Sequence, residues 1–311
     1  MRNKNPTLIG VQELLMHPEL TTKDSGMLRA MIELGGLAEE AAVLLSQAAE
    51  ETVGGIMANA MSHMAWLRSA GMREMFSKSD FAPEDINNGH TTVYFALPPE
   101  MLGFHERALR LVTNTMLNAA FRGRKKRGKP PTLFILDEAA ALGALPILPK
   151  AAAILRGFGG RVWFFYQAKS QITELFGKNA ETLFANAAQV QVFALNDAEG
   201  QEYVEKRLGG RVLWRKKVTR TQQGDVVEYE PTAAFSLRNN EEVGRTTGRF
   251  SGLQIVLNEG GDPFLLRRTP YTKMFEKGAY DPDPYEPARD GLAKRAFKRI
   301  LALLRRRLSR K

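Results

Sequence analysis

Apolar residues recur every three or four positions through the first quarter of the chain, which predicts a series of helices over residues 7–76. Three segments carry this pattern: Leu8 to Leu15, Leu28 to Leu45 and Ile56 to Trp66. The glycine pairs Gly35-Gly36 and Gly54-Gly55 are expected to separate the helices. A polar, proline-containing stretch at 77–83 then predicts a boundary between this helical part and the rest of the chain.

From residue 91 onward, short apolar runs alternate with segments of helical periodicity. The expected strands are 91–97, 132–136, 161–167 and 189–195, and the expected helices are 101–121, 145–155, 170–187 and 198–208. This alternation predicts an α/β fold with a parallel, doubly wound sheet. Because the runs at 132–136 and 161–167 are almost continuously apolar, we expect these two strands to be buried on both faces.

The last third of the chain has a different pattern. Residues 211–250 are polar and rich in Thr and Arg, with Gly224-Asp225 as the expected turn of a hairpin. The apolar runs 253–257 and 263–267 predict a second, closing hairpin. Residues 278–291 are rich in Pro and Asp, a composition typical of a linker.

The composition excludes several classes of function. The chain has no Cys, so disulfides, thiolate metal sites and cysteine nucleophiles are excluded. The four His residues lack the spacing of metal ligands and are expected to be structural. No apolar stretch approaches the ~20 residues of a membrane span, and the first residues lack the apolar core of a signal peptide. We therefore expect the chain to face the cytosol.

The net charge of +10 lies almost entirely at the carboxyl end. Residues 287–311 contain ten Lys or Arg and one Asp, whereas the other 286 residues contain 34 bases and 33 acids. The pattern predicts a basic amphipathic helix whose apolar stripe consists of Phe297, Ile300, Leu301, Leu304 and Leu308. Such a helix suits anionic lipid, nucleic acid or an acidic protein surface, or it packs on its own domain.

A strand that ends in two acids is the main candidate for chemistry. The apolar run from Leu133 to Leu136 leads directly into Asp137 and Glu138, and open α/β sheets bind ligands at the carboxyl ends of their strands. This is the pattern of a Walker B strand. Asp137 would hold Mg²⁺, directly or through water, and Glu138 would orient or deprotonate an attacking water. The alternative is a buried strand that ends in ordinary solvated acids.

Two further residues have positions that suit the same chemistry. Gln167 ends the next expected strand, where P-loop ATPases of the RecA-like kind place a polar residue that faces the terminal phosphate; alternatively it caps a helix. Arg156 lies at the end of a predicted helix, before the glycines at 157–160. There it either compensates the helix dipole or, in a ring ATPase, reaches a neighbour's nucleotide as an arginine finger.

Together these features resemble the type IV secretion coupling proteins, the TraG-like conjugative DNA-transfer ATPases. The segments that carry the resemblance are 91–99, 133–143, 167–172, 175–177, 193–197, 202–209, 254–260 and 268–271. They occur in the family's order and span most of residues 60–275. The collinear order makes the resemblance specific, because each motif is short.

The resemblance implies a RecA-like P-loop NTPase-type parallel sheet with an all-α subdomain at the amino end. The implied domains are 1–78 for the all-α subdomain, 79–277 for the nucleotide-binding domain and 278–311 for the linker and tail helix. It also implies that Asp137 and Glu138 form the Walker B pair, Gln167 senses the nucleotide and Arg156 is the finger. The cofactors of the intact family assembly are ATP and Mg²⁺.

The partners implied by the resemblance are DNA, a relaxase and other type IV secretion components. The family forms rings, so a hexamer is expected, at the cytoplasmic face of the bacterial inner membrane. Residues 287–311 could add a contact with an anionic membrane.

The sequence contains no G-x-x-x-x-G-K-[ST] motif, so the phosphate-binding loop and its Lys are absent. The family's membrane helices are absent too, which suggests an amino-terminally truncated coupling protein. We expect this chain to bind no nucleotide tightly and to be inactive alone. The alternative is a non-catalytic remnant that binds nucleic acid or a partner. In RecA-like sheets the phosphate-loop strand lies beside the Walker B strand, so its loss is expected to leave 132–136 short of one hydrogen-bonding neighbour. The unpaired edge favours poor solubility, oligomers or dependence on a supplied amino-terminal half.

Overall fold

The first described part of the chain, residues 7–123, contains helices and no strand. The computed structural model describes residues 7–123, 130–221, 224–276 and 278–281. The first six helices are α1 (Leu8–Leu15), α2 (Gly26–Leu34), α3 (Gly36–Gln47), α4 (Glu50–His63), α5 (Ala70–Met75) and α6 (Leu102–Arg122). Short 3-10 turns lie between them, at Pro18–Leu20, Ala65–Arg68, Pro83–Asn88 and Pro99–Met101. The helical prediction for 7–76 and the helix predicted at 101–121 are therefore confirmed.

The two glycine pairs behave differently. Gly35 and Gly36 separate α2 from α3, and both have positive φ angles, 72° and 62°, a conformation that glycine adopts without strain. Gly54 and Gly55 lie inside α4, so their prediction as a break was wrong. Their helical neighbours continue the hydrogen-bonded turns, and Val53 and Met57 are buried on the inner side of α4.

The predicted strand at 91–97 was also wrong. Residues 91–98 form neither a helix nor a strand, because no described strand runs beside them to complete a ladder. Phe95 and Leu97 instead pack against the cluster of Trp66 and Leu67 in the helical part. The apolar pattern of this segment therefore serves side-chain packing rather than sheet formation.

Helices and strands alternate after α6. The elements are β1 (Thr132–Leu136), α7 (Ile147–Ile154), β2 (Gly160–Phe164), α8 (Lys169–Phe176), α9 (Ala180–Ala185), β3 (Gln189–Val192), α10 (Ala198–Leu208), β4 (Gly210–Thr221), β5 (Gly224–Ser236), α11 (Asn240–Thr247), β6 (Leu253–Asn258), β7 (Phe264–Arg267) and α12 (Tyr271–Met274). Apart from 91–97, the predicted elements occur in the predicted order, but β2 and β3 end three residues before the predicted strands 161–167 and 189–195, and α12 was not predicted. α11 was missed, because Val243 is its single buried aliphatic residue; a capping box of Asn239 and Glu242 starts it.

The described strands fall into three sheets rather than one. β1 pairs with β2 in parallel, β3, β6 and β7 form an antiparallel sheet in the order β3-β6-β7, and β4 pairs with β5 as an antiparallel ribbon. The closing hairpin β6–β7 is as predicted. Gly224 and Asp225 lie within β5, opposite Thr221 and Arg220, so the predicted turn was misplaced.

The β1–β2 sheet is covered on one face. Phe134 and Leu136 of β1 and Val162 and Phe164 of β2 pack against a core built from α6, α7 and the turns beside them. The fully buried members of that core include Leu117, Ala119, Leu148, Ala151 and Leu155. This packing fixes the position of β1 and β2 on the long helix α6.

The opposite face of β1–β2 is open among the described residues. Leu133, Ile135, Trp163 and Phe165 are 44%, 57%, 56% and 39% exposed. The prediction that both strands are buried on both faces was therefore wrong. Both faces carry apolar side chains, as expected of a parallel strand pair, but the described chain supplies a layer for one of them.

Three features bear on the rest of the chain. No helix among the described residues is long and apolar enough to cross a membrane. The predicted linker is described from 278 to 281, and the predicted tail helix at 287–311 lies outside the described residues. Residues 124–129 of the basic segment before β1 also lie outside them.

Because the open face of β1–β2 is apolar, we expect the purified chain to self-associate or to be poorly soluble. Ile135 and Trp163 are cross-strand partners, so the double substitution Ile135→Glu/Trp163→Glu places two like charges at the centre of the face. This variant should shift the chain toward the monomer, as measured by size-exclusion chromatography with light scattering. Tyr229→Glu, at an exposed position of β5, is the matched control and should leave the association unchanged. A wild-type chain that is already monomeric and unfolds cooperatively would contradict the expectation.

Candidate functional site

The parallel pairing of β1 with β2 brings two chain segments together at the carboxyl ends of the strands. Leu136 lies opposite Phe164, and the backbone N–H of Phe165 donates to the Leu136 carbonyl at 3.1 Å. The N–H of Ala139 donates back to the Phe165 carbonyl at 2.9 Å. These two bonds extend the ladder by one step, so Asp137 and Glu138 emerge beside the segment that carries Gln167.

Glu138 and Gln167 are in direct contact. Nε2 of Gln167 donates to Oε2 of Glu138 at 2.6 Å. The backbone of Glu138 has φ 50° and ψ 55°, the left-handed conformation, which costs a non-glycine residue about 1–2 kcal/mol. Strain of this kind persists where the surroundings over-determine it. Here the Ala139–Phe165 bond and the glutamine contact hold the residue from both sides.

Asp137 is exposed, and its carboxylate has no hydrogen-bond or ion-pair partner among the described residues. A free carboxylate suits Mg²⁺, which is commonly held by one or two carboxylates while waters and substrate phosphates complete its shell. The described residues contain no group of three or more His, Asp or Glu side chains that could hold a metal. Asp137 therefore fits a partly hydrated magnesium ion rather than a metal enclosed by protein ligands.

The residues present do not fit the triphosphate of a nucleotide. A phosphate-binding loop needs successive backbone N–H groups and a Lys in the G-x-x-x-x-G-K-[ST] pattern, which the sequence lacks throughout. The carboxyl edge of β1–β2 thus offers the metal-binding and water-orienting side of such a site without its phosphate cradle.

Arg156 lies away from the other predicted site residues. It is exposed in the short helix Leu155–Phe158, which precedes β2, whereas Gln167 follows β2. The five residues of β2 separate the two positions by roughly 16 Å, at about 3.3 Å per residue. Arg156 cannot act on the Glu138 carboxylate of its own chain from there, and it stays a prediction as a finger toward a neighbouring chain.

Several side chains that support Gln167 were not predicted from the sequence. Oε1 of Gln171 accepts from the backbone N–H groups of Gln167 and Ala168, at 2.9 and 3.4 Å. This is one half of a helix-capping box, and its usual sequence signal is missing because Ala168 occupies the position where Ser or Thr is expected.

Lys169 makes the second unpredicted contact. Its Nζ lies 2.5 Å from Oε1 of Glu199, which also accepts from Oγ1 of Thr173 at 2.6 Å. The ammonium lies over the rings of Phe184 and Tyr203, 5.5 and 5.8 Å from their centroids. The hydrogen bonds from Lys169 and Thr173 lower the pKa of Glu199 from its ordinary value. No sequence pattern signals this pair, because its members are thirty residues apart.

Two half-buried tyrosines in this region have buried hydroxyl groups. Tyr166, which precedes Gln167, has its pKa raised to about 12 by burial, and burial also raises the pKa of Tyr203. Their hydroxyls have no hydrogen-bond partner among the described residues. Both rings therefore stay neutral and act as packing surfaces at physiological pH.

This chain is similar to known proteins over most of its length. The family described as type IV secretory system conjugative DNA transfer matches residues 22–291. The conjugal transfer protein TraG of Agrobacterium fabrum is 33% identical over 161 residues, which are 51% of this chain and 24% of that protein. The probable conjugal transfer protein TraG of Sinorhizobium fredii is 28% identical over 244 residues, which are 77% of this chain and 38% of that protein.

A third relative is the type IV secretion system-coupling protein VirD4 of Bartonella henselae, 30% identical over 170 residues, which are 53% of this chain and 26% of that protein. The chain thus spans between about a quarter and two-fifths of the length of these relatives.

Solved structures show the same fold. The bacterial conjugative coupling protein TrwBdeltaN70, in its unbound monoclinic form, superposes with a TM-score of 0.52 at 14% identity, over 85% of this chain and 69% of that chain. TrwB in complex with the ATP analogue ADPNP gives a TM-score of 0.53 at 15% identity, over 86% and 70%. At this identity the likeness shows the fold alone, which is RecA-like, and the prediction of that fold class is confirmed.

The lowered pKa of Glu199 predicts a specific pH dependence of stability. A carboxyl that is more acidic in the folded state stabilises the fold above its ordinary pKa of 4.5, and this stabilisation is lost as the pH falls through the folded value. Glu199→Gln should therefore lower the free energy of unfolding at pH 7, and its difference from wild type should shrink below pH 4.5. Urea unfolding at intervals of about one pH unit, between about pH 3 and pH 7, would measure this difference in the free energy of unfolding.

Glu202→Gln is the control, because Glu202 pairs with Lys206 on the exposed side of the same helix. Its difference from wild type should be small throughout. If the difference in unfolding free energy between Glu199→Gln and wild type stays constant down to about pH 3, the lowered pKa of Glu199 in the folded state is contradicted.

Proposed function

This chain belongs to the type IV secretory system conjugative DNA transfer family, and we propose that it is the carboxyl-terminal part of a coupling-protein motor. In this proposal ATP hydrolysis drives DNA, with an attached relaxase, into a type IV secretion channel. The observation that carries the proposal is the Gln167–Glu138 hydrogen bond at the carboxyl edge of β1–β2, beside the Asp137 carboxylate, which is exposed and has no partner among the described residues.

The three residues take separate roles. Asp137 would hold the magnesium ion, which supplies charge neutralisation on the phosphates when it is bound. Glu138 would accept a proton from the attacking water or orient that water. Gln167 donates to Glu138 here, and the same amide could turn to a phosphate oxygen, so it would report the state of the nucleotide.

Arg156 completes the proposal from a different place. Its exposed position at the amino end of β2 suits contact with another copy of the chain rather than with its own Glu138. An arginine supplied from a neighbour stabilises the charge that develops on the transferred phosphoryl group. We therefore propose that Arg156 acts as an arginine finger toward a neighbouring chain. The assembly would be a ring of identical chains, with six copies as the family suggests.

The phosphate loop would come from another segment. Two features support this: the sequence lacks the loop, and the face of β1–β2 that carries Ile135 and Trp163 is open. The second candidate function, a non-catalytic remnant that binds nucleic acid or a partner, is favoured by the first feature alone.

The domains of this proposal are 1–78, 79–277 and 278–311.

The proposed partners are DNA, a relaxase and other components of the secretion system. The proposed site of action is the cytoplasmic face of the bacterial inner membrane. The relatives named as a type IV secretion system-coupling protein and as conjugal transfer proteins support this assignment. The contact with the membrane would come from residues 287–311, whose bases attract anionic headgroups.

The purified chain should hydrolyse ATP no faster than background, because the β- and γ-phosphates lack their charge-assisted bonds from a phosphate loop. Turnover above background that disappears in Glu138→Gln would contradict this.

The same residues should be active in a complete context. When residues 22–291 replace the matching part of Agrobacterium fabrum TraG, the chimera should support conjugal transfer and hydrolyse ATP. Glu138→Gln should then lower turnover by about 10²–10⁴-fold, the usual contribution of a positioned base. Glu202→Gln, an acid on the exposed side of α10, is the control. A folded chimera whose turnover ignores Glu138→Gln would favour the non-catalytic remnant.

The tail gives an independent prediction. The full chain should sediment with liposomes in proportion to their anionic lipid content, and added salt should weaken binding, because each base near the surface contributes about 1 kcal/mol. Ile300→Asp/Leu304→Asp breaks the apolar stripe and should reduce binding more than the charge-matched Ala293→Asp/Ala302→Asp. Binding that ignores anionic content would exclude the lipid role, and retention of duplex DNA without lipid affinity would assign the tail to nucleic acid.

A further inference from the structure

Gln167 itself makes few contacts, although Tyr166 before it packs against the cluster of Ile172, Ala180 and Leu183. Gln167 is exposed, its side chain reaches Glu138, and its backbone N–H donates to Gln171 within the next turn. The last backbone bond to β1 comes two residues earlier, at Phe165. The direction in which Gln167 points therefore depends on what fixes the chain after it.

Lys169 provides that fixed point. It is the first residue of α8, two positions after Gln167, and its side chain is 13% exposed. The ammonium lies over the rings of Phe184 and Tyr203 and bonds Glu199 at 2.5 Å. The Glu199 side chain is 39% exposed, but the cation is largely desolvated and Thr173 is a second donor, so the pair holds its geometry better than an ion pair exposed on both sides.

The anchor lies in a different structural unit from Glu138. Glu199 is in the first turn of α10, which follows β3, and β3 belongs to the antiparallel sheet β3-β6-β7. Among the described residues no strand of that sheet pairs with β1 or β2. At the carboxyl edge the two sheets are therefore linked through side chains of α8 and α10, with Lys169–Glu199 as the ion pair between them.

We infer that Lys169 and Glu199 form a positioning pair that holds the Gln167 segment so that its amide faces Glu138. The inference rests on the proposed function for its catalytic meaning, but the pair itself can be tested without nucleotide. Lys169 touches neither the nucleotide site nor Glu138. It acts through Gln167, and it makes the position of that amide depend on where α10 lies.

Hydrogen–deuterium exchange of the full chain, followed by mass spectrometry, tests the inference. The variants are Lys169→Met, which keeps an unbranched side chain beside the two rings, Glu199→Gln, and both together. Each single variant should raise exchange of the backbone amides in 165–168 about tenfold, because local opening responds to the contacts that hold a segment. The double variant should go no further than either single one, since the two residues act as one unit.

Lys206→Met and Glu202→Gln remove an exposed ion pair from the same helix and should leave 165–168 unchanged. Exchange within α6 should stay at the wild-type rate in every variant. A uniform rise across all peptides would mean a general loss of stability and would overturn the inference, as would unchanged exchange at 165–168 in a folded variant. If Lys169→Met does not fold, Glu199→Gln and Thr173→Val serve the same test.

The TraG chimera separates this inference from the proposed function. Lys169→Met there should lower kcat and leave KM unchanged, and it should add nothing in a Gln167→Ala background. An inactive chimera with the expected exchange pattern would overturn the proposed function and leave the positioning pair intact. An active chimera with unchanged exchange at 165–168 would support the proposed function and overturn the positioning pair.

Discussion

The parallel pairing of β1 with β2 is the constraint on which the candidate site depends. Parallel strands end at the same edge, so the acids after β1 and the glutamine after β2 must meet there. Two further backbone bonds, from Phe165 to Leu136 and from Ala139 to Phe165, carry the ladder past the last strand residue. They also hold Glu138 in its left-handed conformation, from which its carboxylate reaches Gln167.

The rest of the α/β part is organised around that strand pair without completing a sheet. One face rests on α6 and α7, the other leaves Ile135 and Trp163 exposed, and the antiparallel sheet joins through side chains. A parallel sheet is normally covered on both faces. An open apolar face and a divided sheet agree with the proposal that another segment supplies the phosphate loop.

Most elements were predictable because their signals are local. Helical periodicity gave the helices between 7 and 76, and α10 matches its predicted range at both ends. The errors have different origins. The run at 91–97 is as apolar as a strand, yet forming one requires a neighbouring strand, and α11 has too few apolar residues to show a period although its capping box is local.

The sequence by itself determined the family resemblance, the acids after β1, the glutamine after β2 and the lack of a phosphate loop, since each is a property of residues close together in the chain. The tertiary structure alone decided that Gln167 touches Glu138, that Arg156 lies at the opposite end of β2, and that Lys169 bonds Glu199. The two contacts join residues that are 29 and 30 positions apart in the chain. The separation of Arg156 from Gln167 follows from the length of β2 between them. Strand pairing and helix packing determine such distances, and they leave no periodic signal in the sequence.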